Sequence, residues 1–531
     1  MRRWRPSAVN SHAISGQQRT PARPGRHLAW PGAALLRDLF LAALLTASAC
    51  TSRPPITQSP VVVSDSAVRL TIVQLNDIYE ITPLAGGRWG GPARVATLLH
   101  RLEQRNPATI AILAGDFLSP SALGTAIVDG ERLDGRQMVD VLNTMGLDYA
   151  TIGNHEFDLR EAAFLARLEE SEFRWISSNV TGAGGQPLPG IASHVIVDVG
   201  DEAARLRVGL IGITMTGYDP AYARVADPAA AAAASANLLA DSVDVLVAIT
   251  HLPFAQDIAL AEATPAIDLI LGGHEHENLM IRRGNDLTPI TKADANARSV
   301  WIHDLAWRPD SRSLTIDSHL VPIIDTIPDH AATAAVSDRW VAAAYQAFRA
   351  AGFEPTEVVG NVTVELDGLE SVVRNRSTTL TQLIVDAMRA EVVGADAAFV
   401  NAGSIRIDDV LPAGPLTQYD VIRILPFGGP VVEVQMTGTL LLQTLDQGLR
   451  NRGGGGFLQL SGIDRADERW HIAGAPVEPD RRYRIALSDF LLTGREQGLA
   501  FLSRDNPDLV IVREHRDVRL AFIAEVRRRW P

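Results

Sequence analysis

The chain has 531 residues, 46% hydrophobic and 21% charged, which is ordinary for a globular protein but too long for one compact core, so two or three domains are expected. Its formal net charge is -13, and no long basic run occurs in the body of the chain, which disfavours DNA or RNA polymers as partners. Small phosphorylated ligands stay open, because a few arginines in a cleft act locally whatever the overall charge.

At the N-terminus several arginines precede the short apolar run Leu39-Phe40-Leu41-Ala42-Ala43-Leu44-Leu45, and small residues through Ala49 follow. That order describes a secretory leader over residues 1–50, and the apolar run is shorter than the ~20 residues that span a bilayer. Cys50 is the only cysteine, so it has no internal disulfide partner. Its position resembles the acylated cysteine of a bacterial lipoprotein, although Ala47 stands where that motif usually has Leu. Export to the periplasm or cell envelope, with a lipid anchor at Cys50 or plain cleavage nearby, is the expectation. Residues 51–67 are rich in Pro, Ser and Thr and read as a flexible tether.

From there one pattern recurs. The apolar runs 69–75, 109–114, 148–152, 243–249 and 267–271 end, respectively, on Asn76-Asp77, Gly115-Asp116, Gly153-Asn154-His155-Glu156, Thr250-His251 and Gly272-Gly273-His274-Glu275-His276. Each run is short and rich in Ile, Val and Leu, as buried strands are. Stretches with helical spacing lie between them, as at 94–103 and 160–169, and an alanine-rich helix is expected over 229–240. Alternating strand and helix predicts an α/β domain with a mostly parallel sheet, whose strand ends share one edge where ligands bind. Asp77, Asp116, Asn154, His251, His274 and His276 would then converge, although two hundred residues separate them. His194 and His303 lack a second donor nearby and read as structural, and Asp134, Asp140 and Asp268 as caps, turns or surface charges.

Oxygen and imidazole donors without cysteine suit divalent Zn, Mn, Fe or a mixture. Two metal ions need a shared carboxylate, for which Asp116 is the natural candidate. A pair ~3.5–4 Å apart clamps the attacking and leaving oxygens of an in-line displacement and lowers the pKa of water toward about 7. That is the chemistry of phosphoester hydrolysis.

The motifs Gly115-Asp116-Phe117-Leu118-Ser119, Gly153-Asn154-His155-Glu156-Phe157-Asp158, Thr250-His251 and Gly272-Gly273-His274-Glu275-His276 resemble, in order and spacing, the 5'-nucleotidase family of calcineurin-like metallophosphoesterases. The resemblance runs from about Leu70 to the C-terminus. It implies a metallophosphoesterase sandwich of mixed sheets flanked by helices, over 68–325, joined by a helix at 326–352 to a second, α+β substrate-binding domain over 353–531. It implies one metal on Asp77, Asp116 and His276, and another on Asp116, Asn154, His251 and His274. His155 and Asp158 then resemble the catalytic pair, the imidazole stabilising charge on phosphoryl oxygens and the carboxylate orienting it. One departure stands out: the family usually has Asp-any-His in its first motif, and here Tyr79 takes the place of that His. The phenol could ligate, could pack or hydrogen-bond without ligating, or could mark a weakly held metal, and the second is the favoured reading.

In the second domain, Asn401-Ala402-Gly403-Ser404-Ile405-Arg406 and Leu425-Pro426-Phe427-Gly428-Gly429 resemble the family's substrate domain. Arg374, Arg376 and Arg406 are candidates for grasping phosphate or carboxylate oxygens, with Asn401 beside them. Phe427 and Phe490 fall where the family stacks a nucleobase between two rings. Where the family has a ribose-binding Asp, this chain has Thr493-Gly494-Arg495-Glu496, and Glu496 could supply that carboxylate. The resemblance therefore implies a phosphoric monoester hydrolase releasing phosphate from nucleotides. Cyclic nucleotides, nucleotide sugars or non-nucleotide esters are alternatives, as is a surface nucleotide-binding protein with little turnover.

Overall fold

The structure, a computed structural model, describes residues 67–531 apart from residue 203. The leader, Cys50 and the tether through residue 66 lie outside the described residues.

The first half is a sandwich of two sheets. Seven strands form one, in the order Ser313–Pro322, Ser299–Arg308, Val68–Leu75, Thr109–Leu113, Tyr149–Thr151, Arg174–Ile176, Ile191–Ala192. Six form the other, in the order Leu279–Arg283, Thr288–Lys292, Leu269–Gly272, Val245–His251, Arg205–Thr214, His194–Gly200. Strand alternation explains why the sequence closes this way, since successive side chains leave opposite faces of a sheet. Leu70 and Ile72 pack with Val245, Val247 and Leu269 between the sheets. Val73 and Leu75 point the other way, onto Val95, Leu99, Val139 and Leu142 of the helices Pro92–Glu103 and Arg136–Met145. On the far side, Leu246 and Ala248 meet Ala232, Ala236 and Leu260 of Pro228–Leu239 and Phe254–Ala263.

The expected single parallel edge is therefore two edges facing each other. Asp77, Asp116 and Asn154 follow strands of the seven-stranded sheet, whereas His251 ends and His274 follows strands of the six-stranded one. Both sheets also carry antiparallel strands: Val68–Leu75 pairs parallel with Thr109–Leu113 but antiparallel with Ser299–Arg308.

The helix Ala331–Ala350 follows, and Trp340 donates from it to Asp140 at 2.7 Å, laying it against the first half. The second half is built on a five-stranded sheet in the order Leu458–Ser461, Ala397–Asn401, Arg482–Ser488, Pro430–Thr437, Leu509–Asp517. The helices Thr379–Glu391 and Val518–Arg529 cover one face, and Gly438–Arg450 covers the other. Buried polar contacts join the halves: Arg423 reaches Glu80 at 3.1 Å and Arg298 reaches Asp409 at 3.0 Å. Among the described residues no helix is long and apolar enough to cross a membrane.

Candidate active site

Each donor stands at or just past a strand end, where the chain turns sharply. Asp77, Asp116 and His274 adopt left-handed backbone, with φ of 54°, 56° and 82°. A non-glycine residue held there costs ~1–3 kcal/mol and marks turns fixed by their surroundings. Gly115 is required for a related reason: a Cβ there would lie 2.7 Å from both the Gly153 nitrogen and His251 Nδ1.

The two carboxylates divide their oxygens. Asp77 Oδ2 accepts from Asn76 at 2.8 Å and the His274 amide at 2.9 Å, and Asp116 Oδ1 accepts from the His155 amide at 2.8 Å. The remaining oxygens, Asp77 Oδ1 and Asp116 Oδ2, turn inward. His251 Nδ1 donates to the Ala114 carbonyl at 2.8 Å, which leaves its Nε2 as the lone-pair side, 3.1 Å from Asp116 Oδ2. An imidazole lone pair facing a carboxylate oxygen requires a cation between them, a proton or a metal. The donor atoms of Asp77, Asp116 and His251 all lie within 4.8 Å of one another. Asn154 Oδ1 and His251 Nε2 are both buried without a hydrogen-bond partner. Orphaned buried acceptors are what a divalent cation satisfies, so these residues fit one. His274 stands edge-on to His251, ring centroids 5.4 Å apart.

Electrostatics agree with a cation site. Burial raises the Asp116 carboxyl, but His251 and His155 outweigh it and hold Asp116 well below the usual range. Burial likewise lowers His251, and Asp116 overrides it, lifting the imidazole to about 9. Burial and the neighbouring His251 push His274 down to about 4, leaving it a neutral donor at neutral pH.

Tyr79 is buried with its hydroxyl 3.3 Å from Asp77 Oδ1, 3.4 Å from Asp116 Oδ2 and 3.2 Å from His276 Nε2. The phenol thus stands among the donors. His276 is gripped from the second half of the chain, its Nδ1 lying 2.6 Å from Asp408 Oδ2. Burial lowers this imidazole, and the carboxylates of Asp408 and Asp77 carry it well above the ordinary value.

Beside the donors, His155 Nδ1 donates to Asp158 Oδ2 at 2.8 Å, and its Nε2 accepts from Arg406 Nη2 at 2.9 Å. Arg374 pairs with Glu370 at 2.6 Å, and Glu370 feels the charges of Arg374, His276 and Arg406. Asn401 donates to Glu496 at 2.7 Å, so these two candidate substrate-binding side chains meet. Phe427 and Phe490 are 51% and 40% exposed, unusual for large apolar rings. Their loops touch, since a Cβ on Gly429 would come 2.6 Å from Asp489 Oδ1. Arg376 stands apart: its side chain is 68% exposed and 3.7 Å from Asp367.

Three residues beyond the candidates support the site. Glu156 accepts four backbone N–H groups, from Gly153, Asp116, Phe117 and Leu118, at 2.6–3.1 Å, tying the Asp116 turn to the Asn154 turn. The fully buried Lys292 ammonium donates to the carbonyls of Leu252 and Gly273, each at 2.7 Å, and pairs with Asp257 at 2.8 Å and with Glu275. It clasps the turns bearing His251 and His274. Glu156 lies inside a recognised motif, whereas no pattern in the sequence marks Lys292 or Asp408.

Residues 70–278 match the calcineurin-like phosphoesterases, and residues 358–503 match the 5'-nucleotidase C-terminal domain. Among curated relatives, the trifunctional nucleotide phosphoesterase protein YfkN of Bacillus subtilis is 26% identical over 489 residues, covering 80% of this chain. The chain spans about a third, 32%, of that longer protein. The 5'-nucleotidase of Bos taurus is 25% identical over 463 residues, covering 76% of this chain and 78% of its own length. In fold, the chain matches the crystal structure of a 5'-nucleotidase precursor from Thermus thermophilus with a TM-score of 0.71 at 23% identity, covering 87% of this chain and 97% of that one.

Proposed function

We propose that this chain, which belongs to the calcineurin-like metallophosphoesterases carrying a 5'-nucleotidase C-terminal domain, is an exported hydrolase that releases phosphate from nucleotides at a site for two divalent metal ions. The observation that carries the reading is the inward convergence of Asp77 Oδ1, Asp116 Oδ2 and His251 Nε2, with Asn154 Oδ1 left unpartnered beside them. Zn, Mn or Fe held there would polarise a phosphoryl oxygen and supply a nucleophile from water at neutral pH.

The remaining work falls to side chains. Asp116 would be the carboxylate shared by the ions, with Asn154, His251 and His274 holding one and Asp77 and His276 the other. Asp158 accepts the Nδ1–H hydrogen bond of His155, which fixes the ring with Nε2, now the acceptor of the Arg406 bond, toward the proposed place of the phosphoryl group. As charge grows on the phosphoryl oxygens, the Arg406 guanidinium donates to them, as does Nε2 when it carries a proton in place of the Arg406 bond, and such donors stabilise the transition state more than the ground state. Arg406, now on His155, and Arg374 provide guanidinium donors for the phosphate. Phe427 and Phe490 stack the base, and Asn401 with Glu496 faces the sugar. Export rests on the leader-like residues 1–50.

The test is hydrolysis by the full chain, loaded with Mn or Zn, of AMP and an aryl phosphate, read as released phosphate, and of UDP-glucose, read as UMP and glucose 1-phosphate. Release from AMP supports the proposal, and preference for another ester reassigns the substrate. Binding of AMP with no release under any metal would make the protein a nucleotide-binding one instead, with Tyr79 the first residue to examine.

A further inference from the structure

Asp408 reaches the donor cluster from the other half of the chain. Its Oδ2 lies 2.6 Å from His276 Nδ1, while its Oδ1 accepts the Glu370 amide at 2.7 Å and its carbonyl accepts from Arg298 at 3.0 Å. The residue is 8% exposed and held in left-handed backbone, φ 39°. A carboxylate only accepts, so Nδ1 of His276 keeps its proton and Nε2 is the nitrogen whose lone pair a metal can take. That lone pair points at the donors, 3.2 Å from the Tyr79 hydroxyl and 3.5 Å from Asp77 Oδ1. A metal-binding imidazole whose other nitrogen is fixed by a carboxylate is a recurrent arrangement that sets tautomer, ring angle and basicity. Here the carboxylate belongs to the loop that also carries Arg406 onto His155.

We infer that Asp408 is a positioning residue for the metal ligand His276, so that metal affinity on the Asp77–Tyr79–His276 side depends on docking of the second half of the chain. This rests on the proposed metal site. Tyr79 occupies the place of an imidazole, so His276 is the imidazole on that side, and its orientation is set from outside its own half. Linkage makes the relation reciprocal: a cation that binds better with Asp408 in place stabilises the docked arrangement equally.

The full chain, stripped and titrated with Mn or Zn by calorimetry, tests this without reference to turnover. Wild type is expected to bind two ions. Asp408→Asn and Asp408→Ala should weaken one of them by ~10–100-fold and leave the other near wild type. Asp409→Asn serves as the control, because Asp409 also bridges the halves through Arg298 without touching His276. Thermal unfolding of the stripped proteins reports whether each variant folds. Adding Asp408→Ala to His276→Gln should cause no further loss of affinity, since both act through one ring; additive losses would make Asp408 a structural contact and overturn the inference. Unchanged binding in a folded Asp408 variant overturns it as well. Wild type that binds no metal would instead overturn the proposed function, and this inference with it.

Discussion

Arg406 donates to Nε2 of His155 at 2.9 Å across the two halves of the chain. The guanidinium and the imidazole therefore share one small volume beside the proposed metal donors, which is the proposed place of the phosphoryl group. His155→Ala should lower kcat by about 10²–10³-fold, the scale for removing one transition-state donor. Metal content should stay near wild type, because the His155 side chain bonds Asp158 and Arg406 and only its backbone amide touches Asp116. Kinetics beside metal analysis checks this, and loss of metal in the variant would reassign His155 to holding the site together.

Lys292 sits with no exposed side-chain surface against Asp257. Lys292→Met strands that carboxylate and two carbonyls in the interior, at a cost of about 3–5 kcal/mol. Denaturant unfolding should show the loss, and Lys292→Met with Asp257→Asn should recover part of it by removing the unpaired charge. Equal losses in the single and double variants would place the damage elsewhere.

The exposed rings of Phe427 and Phe490 predict a selective effect. Stacking is worth ~1–3 kcal/mol per base, so Phe427→Ala with Phe490→Ala should raise KM for AMP by about 10-fold or more. A small aryl phosphate should be far less affected. Parallel losses on both substrates would remove the clamp.

A pH effect follows from His303, fully buried between Ser318 at 2.8 Å and Gln74 at 3.1 Å. Burial, with His319 adding to it, lowers its pKa from 6.5 to about 3. Between those values the unfolded chain takes up a proton that the native chain refuses. The stability is therefore complete above pH 6.5 and is lost as pH falls toward 3, roughly 2 kcal/mol of it between pH 7 and pH 5. Unfolding of metal-stripped protein over that range should show a shallower pH dependence in His303→Asn than in wild type. Identical slopes would contradict the assignment.

The donors were legible because each ends a run of Val, Ile and Leu, and short apolar runs of that kind announce strands buried on both faces. The division into two sheets came from the family resemblance and not from the runs themselves, because Thr109–Leu113 and Val245–His251 read alike although their pairing partners differ. Arg374 and Arg376 looked equivalent two residues apart, yet the turn after the helix Glu370–Val373 sends the first to Glu370 and the second to the surface. Asp408 and Lys292 act over 132 and 40 residues, on His276 and the Leu252 carbonyl, and single polar residues at such separations leave no local pattern.

Metal analysis of the full chain and of Asp116→Asn, after equilibration with Mn or Zn, tests the shared carboxylate most directly. Wild type should retain about two ions per chain, and Asp116→Asn should retain none, because both ions rest on that one side chain. A wild-type chain that takes up no divalent ion, or an Asp116→Asn variant that holds as many as wild type, would contradict the account.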